Sequence, residues 1–192
     1  MDEKISTESK ILNAGRELFW KHGFKRVSID DICENAGISK MTFYRYFPNK
    51  IELAKTVYEN YTKQGYEKFK AIMTDDSSPE DKMQRILSLK LEGTNQISPE
   101  FLTDFYTTKE TGLKDFVLAK TNELFDVAIN DFREAQKNGI FRSDFKPEFF
   151  FHISQKLSES LDDPQLLQMF ESPQEMIMEL ARLFMYGVSP HK

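Results

Sequence analysis

The sequence predicts an all-α protein, and three observations carry that prediction. Apolar residues recur at three- and four-residue steps through most of the chain, the period of a helix with one buried face. No apolar–polar alternation is long enough for a strand. One helix-start signal recurs in the second half: a capping residue, then Pro at the first helical position, with an acid close by. It stands at Ser78-Pro79-Glu80, Ser98-Pro99-Glu100 and Ser172-Pro173-Gln174-Glu175, and more weakly at Pro147-Glu148 after Asp144 and at Asp163-Pro164. These are punctuation marks, not an internal repeat.

The elements follow in order. Ser6 or Thr7 caps the first helix, with Glu8 in its first turn. Ile11, Leu12, Gly15, Leu18 and Phe19 form its stripe, and it ends near Gly23. Trp20 and His22 suit packing at the domain's edge. Ser28 with Asp31 is a capping box, and Val27 with Ile32 has staple spacing. Ile29, Ile32, Cys33 and Ala36 mark the inner face of this second helix, which Gly37 ends in a left-handed conformation. Ser39 repeats the start signal, and Ile38 and Phe43 repeat the staple. Pro48 disfavours helix at Phe47 and closes the third helix. Asn49 and Glu52 open the fourth. Its stripe of Ala54, Val57, Tyr58, Tyr61, Gly65, Phe69 and Ile72 carries it to about Met73, roughly 37 Å at the α-helical rise. After a polar break at 74–78, helices are expected near 79–96, 99–110, 113–138, 147–162, 164–170 and 173–187, with Asn138-Gly139 and Gly187 as stops.

Composition sets the bounds. The chain has 192 residues, 40% of them hydrophobic and 17 of them Phe, enough for one ordinary domain and a small one. No apolar run approaches the ~20 residues that span a bilayer. The first ten residues are charged and lack a signal peptide's apolar region. A single Cys makes no intrachain disulfide, and its place on an apolar face reads as a small core residue. Together these lead to the expectation of a cytoplasmic protein with no membrane partner. The net charge is −5, but residues 1–55 carry ten Lys+Arg against eight Asp+Glu, and the remainder 16 against 23. A mildly basic front and an acidic back fit a chain in which only the front meets phosphate.

Residues 27–50 are the most informative stretch. Two short helices joined by a Gly-containing turn make a helix-turn-helix, whose second helix reads the DNA major groove. On that helix Phe43 and Phe47 point inward, while Met41, Thr42 and Arg45 point outward, with Tyr44 on the flank and Lys40 at the start. Arg reaches guanine edges, Thr donates or accepts, and Tyr and Lys hold phosphates. Arg45, with Thr42 and Met41, is therefore expected to read bases; Tyr44 and Lys50 are expected to hold phosphate. Lys50 lies in the first turn of the fourth helix, where the macrodipole disfavours a cation and a bound phosphate would offset that cost. Ser28, Lys40 and Tyr46 complete the expected DNA-binding set, and Lys25 and Arg26 lie where a phosphate can be approached.

Residues 11–53, ILNAGRELFWKHGFKRVSIDDICENAG followed by ISKMTFYRYFPNKIEL, resemble the DNA-binding domain of the tetracycline-repressor (TetR) family of bacterial transcription regulators. Met41 stands where the family often has a small residue or Pro, and Arg45 at a position that varies among members. The resemblance implies an N-terminal three-helix helix-turn-helix domain joined by a long helix to an α-helical regulatory and dimerisation domain. We place the first at 6–65 and the second at 66–192. It further implies a homodimeric repressor, released from a palindromic double-stranded operator by a small-molecule effector.

In the back half, Met83, Leu87, Phe101, Phe105, Tyr106, Phe116 and Phe132 lie at helical spacings. Each alone fits an ordinary core; together, with the resemblance, they are the candidate ligand pocket. Acidic balance and few Lys or Arg there suggest a largely apolar, neutral or cationic ligand, although Lys90, Lys109 and Arg133 can turn inward. The fourth helix, touching DNA at Lys50 and the regulatory core at Phe69 and Ile72, is placed to carry a switching motion. Ile153, Leu157 and Leu161, with Ile177, Leu180 and Phe184, lie on wide apolar faces of the last two long helices. Such faces suit a four-helix dimer interface.

The chain carries no phosphate loop, dinucleotide fingerprint or nucleophile elbow, and its three His are scattered, so neither enzyme, cofactor nor metal is expected. Two alternatives remain. One is a DNA-binding regulator without a small-molecule ligand. The other is a helical module that docks on protein, which predicts apolar anchors where Thr42, Tyr44, Arg45 and Lys50 stand.

Overall fold

The structure, a computed structural model, describes residues 6–107, 112–158, 160–161 and 163–190. All regular structure among them is helical. The elements are α1 (Thr7–His22), α2 (Ile29–Ala36), α3 (Lys40–Tyr46), α4 (Lys50–Thr74), α5 (Pro79–Gly93), α6 (Pro99–Leu102), α7 (Leu113–Lys137), α8 (Pro147–Ser158), α9 (Pro164–Leu167) and α10 (Pro173–Val188). A π-helical turn, Thr103–Thr107, continues α6.

Local chemistry sets the helix starts. Ser6, Ser28, Ser39, Ser78, Ser98 and Ser172 each accept a hydrogen bond from the backbone N–H three residues on, and Asp163 accepts from the Gln165 N–H two residues on. Each cap satisfies one of the orphan donors of a first turn, typically worth about 1 kcal/mol. The Ser28–Asp31 capping box is complete in both directions. Gly37 adopts the left-handed conformation at φ 65°, and the Ile38 N–H reaches back to the Cys33 carbonyl at 3.0 Å, closing α2. Phe47 is extended before Pro48.

Three helices end short of their expected bounds. α5 stops at Gly93, where the Thr94 hydroxyl bonds the Lys90 carbonyl, and Gln96 takes a positive φ of 62°. α8 stops at Ser158 and α9 is a single turn. The expected 99–110 helix is α for one turn only, then π-helical; its last residues, 108–110, including Lys109, lie outside the described residues.

The chain divides into two compact units. The first is Met1–Thr62 with Gln96–Val117; the second is Lys63–Asn95 with Leu118–Lys192. The domain boundary expected from the sequence places everything after residue 65 in the second domain. Gln96–Val117 instead groups with the N-terminal unit because its aromatic side chains fill that unit's core. Phe101 and Phe105 stack on each other at 4.5 Å, and Trp20 lies 4.3 Å from Phe101. Ile11, Phe19, Ile32, Phe43 and Leu53 complete this core, all without solvent exposure. Gly15 lets α1 approach α4: a Cβ there would lie 3.1 Å from Leu53 Cδ2.

The second unit is built around Phe132, which contacts the rings of Phe69, Phe141, Phe150 and Phe151 at 4.8 to 6.1 Å. Met83, Ala135, Met185 and Val188 share this core. The buried Lys82 ends α4: its ammonium donates to the Ile72 and Asp75 carbonyls and pairs with the Asp75 carboxylate at 2.9 Å. A cation on these orphan carbonyls is favoured by the helix dipole. The Arg142 N–H closes the loop after α7 onto the Val188 carbonyl at 2.9 Å.

Candidate nucleic-acid interface

α2 and α3 are joined by the three residues Gly37, Ile38 and Ser39, and their apolar faces meet over the unit's core. Ile32 and Cys33 from α2 and Phe43 from α3 are buried, with Phe47 just beyond. That packing leaves the opposite face of α3 in solvent. Met41 is 80% exposed and Tyr44 54%, with Tyr46 and Arg45 also exposed. Arg45 donates no hydrogen bond and forms no ion pair among the described residues, so its fork has no protein partner to give up on binding. The Tyr44 ring stands edge-on to Phe43 at 5.5 Å, which fixes its direction.

Other expected contacts are engaged locally. Lys40 pairs with Asp30 at 2.7 Å, both side chains exposed, and the carboxylate raises the Lys40 pKa. Such an exposed pair is worth little and exchanges readily for a phosphate. Thr42 Oγ1 lies 3.0 Å from Ser39 Oγ, at the start of the reading helix. Ser28 is the most committed: its hydroxyl and N–H both donate to Asp31 Oδ2, at 2.7 and 2.8 Å. Those donors hold the Asp31 carboxyl below its ordinary range.

Lys50 departs from expectation. Its ammonium donates to the carbonyls of Phe24 and Val27 at 2.7 and 2.6 Å and lies 4.2 Å from the Phe24 ring centre. Burial lowers its pKa, against the opposing pull of Asp104 and Asp31. In this arrangement Lys50 ties the start of α4 to the α1–α2 loop rather than presenting itself to phosphate, because two carbonyls within one side-chain length already satisfy it. The same loop is held from the other direction. Asp104 Oδ2 accepts from the Lys25 N–H at 2.8 Å, and Arg26 pairs with Glu100 at 2.8 Å. Sequence reasoning saw Glu100 only as the acid of a helix start and missed Asp104 altogether; 79 residues separate Lys25 from Asp104, and no local pattern marks such a pair.

The candidate pocket residues do not gather in one unit. Phe101, Phe105, Tyr106 and Phe116 belong to the first, where the first two are buried core and burial raises the Tyr106 pKa well above its ordinary value. Met83, Leu87 and Phe132 belong to the second. Of the candidate dimer residues, Leu161 and Ile177 are buried, and Ile153, Leu157, Leu180 and Phe184 half-buried. Phe149, Leu183 and Tyr186, on the same helices α8 and α10, are 65–68% exposed. Among the described residues no three His, Cys, Asp or Glu come together as metal ligands; His22 and His152 lie in different units, and His191 is outside the described residues. No described helix is long and apolar enough to cross a membrane.

A helix-turn-helix with an outward face of Thr, Tyr, Arg and Met is the reading head of a DNA-binding protein. Residues 11–57 match the family model described as bacterial regulatory proteins, tetR family. Over those residues the chain carries a TetR-type DNA-binding domain, that of a DNA-binding transcription regulator. It is 27% identical over 150 residues to the dhaKLM operon transcriptional activator DhaS of Lactococcus lactis, covering 78% of this chain and 73% of that protein. Its fold is similar to that of the regulatory protein TetR from Rhodobacter sphaeroides, with a TM-score of 0.70, 17% identity, and 95% and 98% of the two chains covered. It is likewise similar to FadR from Bacillus subtilis, solved in complex with stearoyl-CoA, with a TM-score of 0.66, 12% identity, and 93% and 98% covered.

Proposed function

We propose that the protein is a homodimeric, cytoplasmic repressor that binds an approximately palindromic operator and changes its DNA affinity on binding a small-molecule effector. The observation that carries the reading is the α3 surface: Arg45, Thr42, Met41 and Tyr44 face outward on a helix held by buried Phe43, with buried Phe47 just beyond its end. Met41 is its one strongly apolar member, whereas a protein-docking surface would carry several such anchors. A two-fold protein reads a two-fold site, with reading helices about one DNA turn apart, roughly 34–36 Å.

The half-exposed faces of α8 and α10, with Phe149, Leu183 and Tyr186 standing out from them, support a dimer closed by these helices. The effector reading is supported by partly buried apolar side chains around the second unit's core, among them Tyr66, Phe69, Leu87 and Phe125. FadR with its stearoyl-CoA makes long-chain acyl compounds a first class to try. The test is selection of bound duplexes from random DNA, then fluorescence anisotropy on the recovered sequence with candidate effectors added. A reporter driven through that sequence reads the sign. Repression is the family's habit, but DhaS is an activator, so activation is the second reading. Recovery of no preferred sequence would end the proposal. Unchanged operator affinity with bound effector would leave a regulator without a ligand switch.

A further inference from the structure

We propose that Asp104 is a positioning residue for DNA binding: from the π-helical turn after α6 it holds the α1–α2 loop so that Ser28 and the start of α2 are presented to the DNA backbone. The inference rests on the DNA-binding reading of α2 and α3. Three observations within the first unit carry it.

The first is the hydrogen bond itself. Asp104 is 5% exposed, one of three buried polar or charged residues among the described residues, and its Oδ2 accepts from the Lys25 N–H at 2.8 Å. A buried carboxylate is costly unless it is hydrogen-bonded or paired, so this acid is explained by its bond to the loop rather than by packing. An apolar side chain of similar size would fill the space at lower cost.

The second is the closeness of loop and turn. Gly23 has φ 78° and ψ 166°, a region open essentially to glycine. A Cβ at Gly23 would lie 2.8 Å from both Asp104 Oδ2 and Glu100 Cβ. The chain therefore reaches Asp104 only through a residue without a side chain.

The third is that the loop is tied at several of its backbone groups. Lys50 takes the carbonyls of Phe24 and Val27, Asp104 takes the N–H of Lys25, and the Ser98 N–H donates to the Trp20 carbonyl just upstream. The next residue is Ser28, the cap of α2. In a helix-turn-helix this first helix crosses the DNA backbone, and its N-terminal amides suit a phosphate. Freeing Lys25 lets the cap wander relative to α3 and weakens every DNA sequence in proportion. A π-helical turn is an unusual conformation that recurs at functional sites, and here it carries the carboxylate.

The test uses the full chain with Asp104→Leu, which removes the acceptor, and Asp104→Asn, which keeps one. Amide exchange of residues 24–28 is followed without DNA. Anisotropy is followed on a duplex recovered with the wild type, at a temperature where circular dichroism shows equal helix content. Asp104→Leu should speed Lys25 exchange about tenfold and weaken the duplex about tenfold, as expected for loss of a charge-assisted hydrogen bond. Asp104→Asn should stay within about threefold on both readouts. If Asp104→Leu does not fold, Asp104→Ser, too short to span the gap, is read the same way. Wild-type affinity in the Leu or Ser variant overturns the proposal, as does an Asn variant as weak as Leu. A wild type that selects no duplex sinks the DNA-binding reading and the proposal with it, which the exchange data separate from a loose loop.

Discussion

The Lys50 ammonium lies 2.6 Å from the Val27 carbonyl oxygen, so the first turn of α4 is bonded to the residue just before the α2 cap. A cation in the first turn of a helix opposes the macrodipole. Here two carbonyls and an aromatic face offset that cost, and the consequence is a stability role distinct from phosphate binding.

Lys50→Ala should therefore lower the unfolding free energy by about 1.5–3 kcal/mol, the range for hydrogen bonds to a charged group. The log–log salt slope of DNA binding should stay as in the wild type. A phosphate-contacting lysine would instead reduce that slope by about one at little cost in stability. Urea melts with salt titrations of anisotropy separate the two.

Arg45→Ala should cost about 1–3 kcal/mol on the preferred duplex and relax the preference at one position in each half-site. Repeating the random-sequence selection with the variant measures this. Equal weakening on all sequences would make Arg45 a backbone contact.

Leu183→Glu should give monomers that keep their helix content. Leu183 is 66% exposed in the single chain, so a charge there disturbs no packing within it. Multi-angle light scattering gives the mass, and the same protein should bind the palindromic duplex weakly. A dimer of unchanged mass, or a wild type already monomeric at micromolar concentration, would place the interface elsewhere or remove it.

Alkaline unfolding should report Tyr66. Its hydroxyl donates to the Asp131 carboxylate, and burial together with that carboxylate pushes its pKa from 10.0 up to about 12. The folded state favours the protonated phenol. The stability this contributes is complete below pH 10 and lost as pH rises through about 12. Tyr66→Phe should melt lower than the wild type at pH 8 and show a shallower fall between pH 10 and 12. Parallel curves for the two proteins would remove Tyr66 from the alkaline transition.

What the sequence determined by itself was local. The caps at Ser28, Ser39, Ser78, Ser98 and Ser172, the left-handed Gly37 and the stop before Pro48 are decided by atoms within a few residues of one another, and all stand in the structure as the spacing implies. The outward set on α3 was legible for the same reason: once Phe43 and Phe47 face inward, helical geometry places Met41, Thr42 and Arg45 on the other side. The tertiary structure decided what depends on which distant segment comes near. It sent Lys50 to the carbonyls of Phe24 and Val27. It put Phe101 and Phe105 beneath Trp20 in the first unit's core rather than with Phe132. And it brought the Asp104 carboxylate to the Lys25 N–H across 79 residues. An apolar stripe says only that a face will be buried, not against what, because burial of apolar surface is non-directional. Only the packed chain supplies the partner.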